Sequence, residues 1–511
     1  MASNIYAYVT KSPTSGNGLF AKKEVGGGEL IVKLARPMIA ALDYSRLEDT
    51  CANCYASKTA SSIRNREYGK AGEQFFKLSA CTGCKVVKYC GKVRDKRRVR
   101  FSIHGLTDRT KKCQSRAWKR HHKVNCKLFN RIPTRLLSNA VRAILQIRAM
   151  EALGTLEEHW HAFAGLESHA EQFSGQHRKY WNETEQVLSL LDQFTQEEMQ
   201  IRGMAKQDLH GRVLTNSLTL VTAVFDPIGI CLDPLVAASN HSCEPNAAIV
   251  MDGPELSMRS LRRIAKDEEI FIAYVDTTNP FSYRQQELSS RYFFDCSCRK
   301  CRTGSELEME KDRNKAAVQA AGLEKLKQAK KAGAAEAVTK LEDGLKMCFE
   351  CGAIGLTEQP YAALRHSLMV NLISSGKYDV GFMQGIKMYC HVEPGIFDES
   401  FHPVRVARNW VLLRLICALL ADYRYREYMS ELMARSGVDF AIVVYHMFQD
   451  VVDAVDKSHG RESSLAKSIG EEFEATLDTL DARDAGMKAA YSAARAAQFS
   501  KLEQLANTVE M

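Results

Sequence analysis

Asn240-His241-Ser242-Cys243-Glu244-Pro245-Asn246 is the stretch whose reading decides the fold. About fifty residues downstream, Cys296-x-Cys298-x-x-Cys301 offers three thiols that want a fourth. Tetrahedral zinc takes four ligands, and a C-x-C-x-x-C run cannot easily close that shell alone. Cys243 can supply the missing thiol, so the two segments are expected to meet in space. Between them, Asp267-Glu268-Glu269-Ile270-Phe271-Ile272-Ala273-Tyr274 reads as an acidic turn leading into an alternating strand that ends in a tyrosine.

On these residues the chain resembles the SET-domain protein lysine methyltransferases, in which an NHSCxPN segment, a Tyr-ending strand and a Cys-rich post-SET tail build the active site together. The first forty residues add to the likeness. They read as short strands joined by glycine-rich turns: Tyr6 to Val9, then Ser15-Gly16-Asn17-Gly18-Leu19-Phe20-Ala21, then Gly26 to Val32. The GxGLxA turn is similar to the one that opens SET domains carrying a MYND zinc finger, where it lets the backbone approach the methionine end of S-adenosylmethionine.

A second cysteine system runs from Cys51 to Cys126. Its seven cysteines and His122 suffice for two four-ligand shells. The order resembles a MYND finger, whose ligands alternate between two ions. The resemblance assigns Cys51, Cys54, Cys90 and Cys113 to one zinc and Cys81, Cys84, His122 and Cys126 to the other. His122 is preferred to His121 because its i,i+4 spacing places it on the helical face of Cys126; His121 is then expected to be exposed. Tyr55 to Ala80 separates the first two knuckles by more than is usual, and 22 residues separate Cys90 from Cys113 where the family has only a few. Removing Val93 to Lys111 would restore the family spacing, so this block reads as a retained intron or a lineage-specific loop.

Composition agrees with a soluble multidomain protein of 511 residues, 45% hydrophobic and 26% charged. No apolar h-region opens the chain, and its most hydrophobic stretch, Val411 to Ala421, is short and interrupted by Arg414. Neither a signal peptide nor a membrane span is expected. Sixteen cysteines then point to metal ligation in a reducing compartment, cytoplasmic and/or nuclear, rather than to disulfides. The net charge of +9 is concentrated: seven Lys or Arg and two Asp between Val93 and Lys111 give a local +5. That is weak support for nucleic-acid binding.

The implied fold class is α+β: a split SET β-fold with an inserted MYND zinc module and a helical insert, a post-SET zinc knot and an all-helical C-terminal domain. The expected boundaries are 1–48 for the first SET part, 49–128 for the MYND finger with its atypical insert 93–111, and 129–215 for the helical insert. The second SET part follows at 216–285, the post-SET segment at 286–305 and the helical domain at 306–511. Leu136, Leu137, Ala140, Val141, Ile144, Leu145 and Ile147 carry the helical period of the insert. Strands are expected to resume at Asn216 and again at Gly229-Ile-Cys-Leu. The C-terminal part shows no clean period of about 34 residues.

The resemblance implies S-adenosylmethionine as cofactor, three zinc ions and a lysine-containing protein or peptide substrate, histone or non-histone. Tyr274 and Tyr292 are the implied catalytic pair. Gly16, Asn17, Gly18, Asn216, Asn240, His241, Tyr274 and Phe294 are the implied cofactor residues, and Cys243, Cys296, Cys298 and Cys301 the third zinc shell. A lysine amine has a pKa near 10.4, so methylation at neutral pH needs the free amine favoured by desolvation or by nearby positive charge. Tyr292-Phe293-Phe294 places aromatic side chains where such a channel is required, and their faces also accept a methylammonium. Proline-rich peptides are the partners implied for the MYND module. The rival is a MYND and helical-repeat scaffold with weak or absent methyltransferase activity; the intact NHSCxPN, Tyr274 and CxCxxC favour the enzyme. Cys231, Cys348, Cys351, Cys390 and Cys417 fall outside these sets, and the lone Cys348-x-x-Cys351 pair reads as apolar packing.

Overall fold

A computed structural model describes residues 2–13, 16–57, 78–90, 110–176, 178–195, 200–309 and 313–509. The block Val93 to Lys111 therefore lies outside the described residues, apart from its last two positions, which open the helix Thr110–Ala117. The chain divides into two units: Met1–Gly26, Leu30–Tyr274 and Glu287–Asp295 form the first, and Gly27–Glu29, Val275–Gln286 and Cys296–Met511 the second.

The first unit holds all the strands among the described residues. An antiparallel sheet runs in the order Ala2–Ile5, Leu30–Leu34, Glu255–Ser260, Ala247–Asp252. Asp252 pairs with Glu255 across Gly253-Pro254, and Gly253, at φ +60°, gives the positive φ that a two-residue hairpin prefers. A second sheet joins Leu218–Val221, Pro227–Leu232 and Ile39–Leu42. Gly229 is needed there, because a Cβ would stand 2.2 Å from the Ala41 carbonyl oxygen. The edge strand Ile39–Leu42 is closed by a side chain: Gln146 accepts from the Ala40 amide at 3.2 Å and donates to its carbonyl at 2.7 Å. Gln146 lies on the helix Asn139–Ala152, started by Ser138, whose hydroxyl accepts from the Val141 amide. Leu137, Ile144, Leu145 and Ile147 are fully buried in the same core.

Among the described residues the helical reading of Arg131 to Gly211 holds, with one addition. Arg202 and Gly203, both at positive φ, turn a short hairpin of Gln200–Ile201 with Met204–Ala205. Two strand expectations are corrected. Asn216 ends the helix Lys206–Asn216, and the strand begins only at Leu218. The strand expected to end in Tyr274 is reduced to Phe271–Ile272, because its partner Asn240–His241 offers two residues only and the amide of Tyr274, two residues beyond, donates to His241 Nδ1 instead.

In the second unit the described residues form helices and no strand, from Arg299–Met309 to Ala485–Asn507. Neighbouring helices approach closely where side chains are small: a Cβ on Gly344 would meet Leu364 at 2.9 Å, and one on Gly385 would meet Leu412 at 2.7 Å. Leu341, Leu345, Leu364, Leu368 and Leu372 bury the seam. Ser463 and Asp484 cap the helices Ser464–Thr479 and Ala485–Asn507. No described helix is long and apolar enough to cross a membrane.

Candidate functional site

The parallel pair of Asn240–His241 with Phe271–Ile272 is the frame of the site. Asn246, fully buried, fixes it: its amide donates to the Glu269 carbonyl at 2.8 Å and accepts from the Phe271 N–H at 2.8 Å. The acidic turn is tied down at every position. Asp267 accepts from the Tyr8 hydroxyl, Glu268 from Arg262 and the Ala265 amide, and Glu269 from Ser12 and Asn240.

His241 and Tyr274 come together as expected, with ring centroids 5.4 Å apart. The Tyr274 amide donates to His241 Nδ1 at 3.0 Å, so Nε2 carries the ring proton and donates to Cys243 Sγ at 3.3 Å. One imidazole thereby couples a thiol to the tyrosine backbone, the arrangement by which outer-shell groups orient a metal ligand. The Tyr274 hydroxyl donates to the Ser239 carbonyl at 2.6 Å. Burial pushes its pKa well above the ordinary tyrosine range, so the phenol stays neutral.

Tyr292 packs on Tyr274 with centroids 4.8 Å apart, and its hydroxyl reaches the Tyr274 carbonyl at 3.5 Å. Phe294 meets Tyr274 edge-on at 6.5 Å and His241 at 6.1 Å, and keeps 36% of its surface exposed. The residue between them goes the other way: Phe293, at φ +59°, packs against Phe173 and His169 at 4.8 and 5.1 Å. The left-handed backbone costs about 1–3 kcal/mol at a bulky residue and turns its two neighbours to one side.

Gly18 and Asn17 begin the strand Asn17–Ala21, next to Gly16 at φ +47°, and the Asn17 carbonyl accepts from the Asn240 amide at 3.1 Å. Asn216 is different. Its side chain donates to the carbonyls of Glu167 and Arg212, closing its own helix. The sequence assigned no role to Ser239 and only an acidic run to Glu269, and it placed Phe293 in the channel with Tyr292 and Phe294, whereas Phe293 packs on Phe173 and His169 instead.

Two sets of metal-ligating atoms lie in the first unit, each within a span of 4.8 Å: Cys51, Cys54, Cys90 and Cys113, and Cys81, Cys84, His122 and Cys126. Both match the sequence assignment. A set of four thiols and a set of three thiols with one imidazole both fit tetrahedral zinc. Burial lowers the His122 pKa to about 4, so its imidazole is the neutral, ligating form. His121 is half-buried rather than exposed, and burial beside Arg120 lowers its pKa to about 3. In the second unit, the thiols of Cys296, Cys298 and Cys301 also lie within 4.8 Å of one another. Gln285 pins the first by accepting from its amide and donating to its carbonyl, and Arg284 donates to Cys301 Sγ at 3.6 Å. All sixteen cysteines are free of disulfides.

The SET domain family model matches residues 16–275. The SET domain and MYND-type zinc finger protein 6 of Schizosaccharomyces pombe is 28% identical over 290 residues, 57% of this chain and 50% of that protein. The human Histone-lysine N-methyltransferase SMYD3 is 26% identical over 56% of this chain and 59% of its own length. The Arabidopsis thaliana Histone-lysine N-methyltransferase ASHR1 is 24% identical over 57% and 54%. The match thus spans about half to three-fifths of these relatives.

Proposed function

The chain belongs to the SET domain family, and from that premise we propose that it is an S-adenosylmethionine-dependent protein-lysine N-methyltransferase. The observation that carries the proposal is the convergence of Asn240, His241, Tyr274, Tyr292 and Phe294 around one short parallel strand pair. The domain reading is the one implied by the sequence: a SET fold split by a MYND module at 49–128 and a helical insert at 129–215, with a post-SET segment at 286–305 and a TPR-like helical domain at 306–511.

S-adenosylmethionine supplies an electrophilic methyl group. The fit rests on the exposed Gly16-Asn17 turn, the tethered Asn240 amide and the half-open Phe294 ring, which offers an aromatic face to adenine. The other steps belong to the chain. Tyr274 and Tyr292, kept neutral by burial, form apolar ring faces that strip water from a lysine side chain and so lower its pKa. The same faces hold the methylammonium product by cation–π attraction. Tyr274, oriented through Ser239, aligns the amine with the transferring group. Asn216 is proposed as a further cofactor residue, at the end of a helix where its side chain donates to the Glu167 and Arg212 carbonyls.

Three zinc ions complete the reading: two in the shells of the first unit, and a third held by Cys296, Cys298 and Cys301 with Cys243 as the fourth ligand. Their role is to hold the fold. The substrate is a lysine-bearing protein, histone or non-histone, and the MYND module docks proline-rich peptides. A reducing compartment, cytoplasm or nucleus, suits this many free thiols. Incubation with labelled S-adenosylmethionine and a lysine-peptide library tests the proposal. Label on lysine supports it; calorimetry showing no cofactor binding would return the chain to the scaffold reading.

A further inference from the structure

Tyr292 is the last residue of the helix Phe281–Tyr292, and Phe293 follows it at φ +59°. A left-handed residue at a helix end is usually glycine, because any side chain is strained there. A bulky residue persists in that conformation only where its surroundings over-determine it. For Phe293 those surroundings come from the helical insert. Phe173 meets its ring edge-on at 4.8 Å and His169 meets it at 5.1 Å. The two lie one helical turn apart, the Phe173 amide donating to the His169 carbonyl at 3.0 Å. His169 is itself left-handed, at φ +48°, so both sides of this contact carry strain.

The insert holds these rings from behind. Phe173, 7% exposed, stacks on Trp181 with ring planes 7° apart, and Trp181 stacks on His210 at 4.4 Å. Before His169, the helix Lys206–Asn216 fastens the chain: the Ser168 hydroxyl donates to Asp208 at 3.0 Å, and the Ser168 carbonyl accepts from Thr215 at 3.2 Å. A Cβ on Gly211 would stand 2.4 Å from that same carbonyl oxygen, so the two backbones touch.

We propose that Phe173 is a positioning residue for the methyl-transfer site: it holds Phe293 in the left-handed turn and so aims its chain neighbours, Tyr292 and Phe294, at Tyr274 and His241. This rests on the methyltransferase reading above and adds to it a part for the helical insert. Without the Phe173 ring, less opposes the strain at Phe293. Relaxation to a negative φ would swing the chain beyond it and carry Phe294 away from Tyr274 and His241, from which its ring now stands 6.5 and 6.1 Å.

Calorimetry with S-adenosylhomocysteine and steady-state methylation of a peptide that the protein labels test this. Phe173→Ala is expected to weaken S-adenosylhomocysteine about tenfold, the scale of one misplaced aromatic contact, and to lower kcat/KM by at least as much. Phe173→Leu keeps an apolar wall against Phe293 and should recover both to within about threefold of wild type. In a Phe294→Ala background, Phe173→Ala should cost no further cofactor affinity, because its effect passes through that ring. Wild-type affinity and turnover in Phe173→Ala, no recovery in Phe173→Leu, or a further tenfold loss without Phe294 would overturn the inference. Thermal unfolding reports whether each variant folds. Should Phe173→Ala not fold, Phe293→Gly takes its place: glycine adopts φ +59° freely, so the turn is kept and the anchor lost. The same losses are then required, and wild-type behaviour overturns the inference. A wild-type protein that binds no S-adenosylhomocysteine and labels no peptide removes the methyltransferase reading and the inference with it; an active wild type with unaffected variants removes the inference alone.

Discussion

The hydroxyl of Tyr274 donates to the main-chain carbonyl of Ser239 at 2.6 Å, across a ring packed between His241 and Tyr292. Tyr274→Phe removes that bond and keeps the ring. Stability should fall by about 1 kcal/mol. Turnover should fall by a factor on the order of a hundred if the hydroxyl orients the reacting groups. Single-turnover methylation measures the second effect, and near-normal turnover would reduce Tyr274 to packing.

Asn246→Ala should be among the costlier polar substitutions in the chain. It leaves the Phe271 N–H and the Glu269 carbonyl without a partner in a fully buried place. A loss of about 2–4 kcal/mol is expected from two orphaned groups. Urea denaturation checks it; a loss below about 1 kcal/mol would mean that neighbouring groups or water replace the amide.

Elemental analysis of the purified protein should give three zinc ions, and Cys243→Ser should lose one of them while sparing the two shells built on Cys51 and Cys81. Full zinc occupancy in that variant would break the proposed pairing of Cys243 with Cys296, Cys298 and Cys301.

In the second unit, burial raises the pKa of Glu393 from 4.5 to about 7, against the pull of Arg408 at 3.7 Å and of Arg405. A raised carboxyl favours the folded state fully below about pH 4.5, and that contribution is lost as pH rises toward about 7. His402, lowered to about 4 by burial near the same arginines, acts in the opposite sense over an overlapping range. The comparison is therefore between wild type and Glu393→Gln, which share His402. Relative to that variant, the wild type should lose up to about 3 kcal/mol between pH 4.5 and 7. A difference that stays constant with pH in urea titrations would remove Glu393 as its source.

The metal ligands were legible because their chemistry is local: thiols and an imidazole at fixed spacing have few other uses. The Asn240 and Tyr274 segments were legible for the same reason. The helix end at Asn216 was not, because Leu209 and Val213 are spaced to carry the helical period up to it, and only the structure shows its amide donating to carbonyls of that helix and of Glu167. The acidic turn was legible, but the strand after it came out short because its partner Asn240–His241 offers only two residues to pair with and the Tyr274 amide goes to the His241 ring, which alternation does not signal. Glu269 and Phe293 act through partners more than a hundred residues away, Ser12 for one and Phe173 for the other, and periodicity carries no information over such distances.

The two first-unit metal shells interleave along the chain: Cys51 and Cys54 close on Cys90 and Cys113 around the positions of Cys81 and Cys84, which close on His122 and Cys126. The first shell is thus a removable cross-link spanning the second's first two ligands, and the second spans the first's last two. A backbone nick introduced anywhere between Cys54 and Cys81 leaves two fragments still clasped by a metal, and they should migrate as one species in native gels. A chelator should remove that clasp and leave the fragments held by the strand pairs that Leu30–Leu34 and Ile39–Leu42 make with Glu255–Ser260 and Pro227–Leu232. Cleavage within this region is therefore silent, because the two sides of the finger are joined by a coordination shell as well as by the peptide bond.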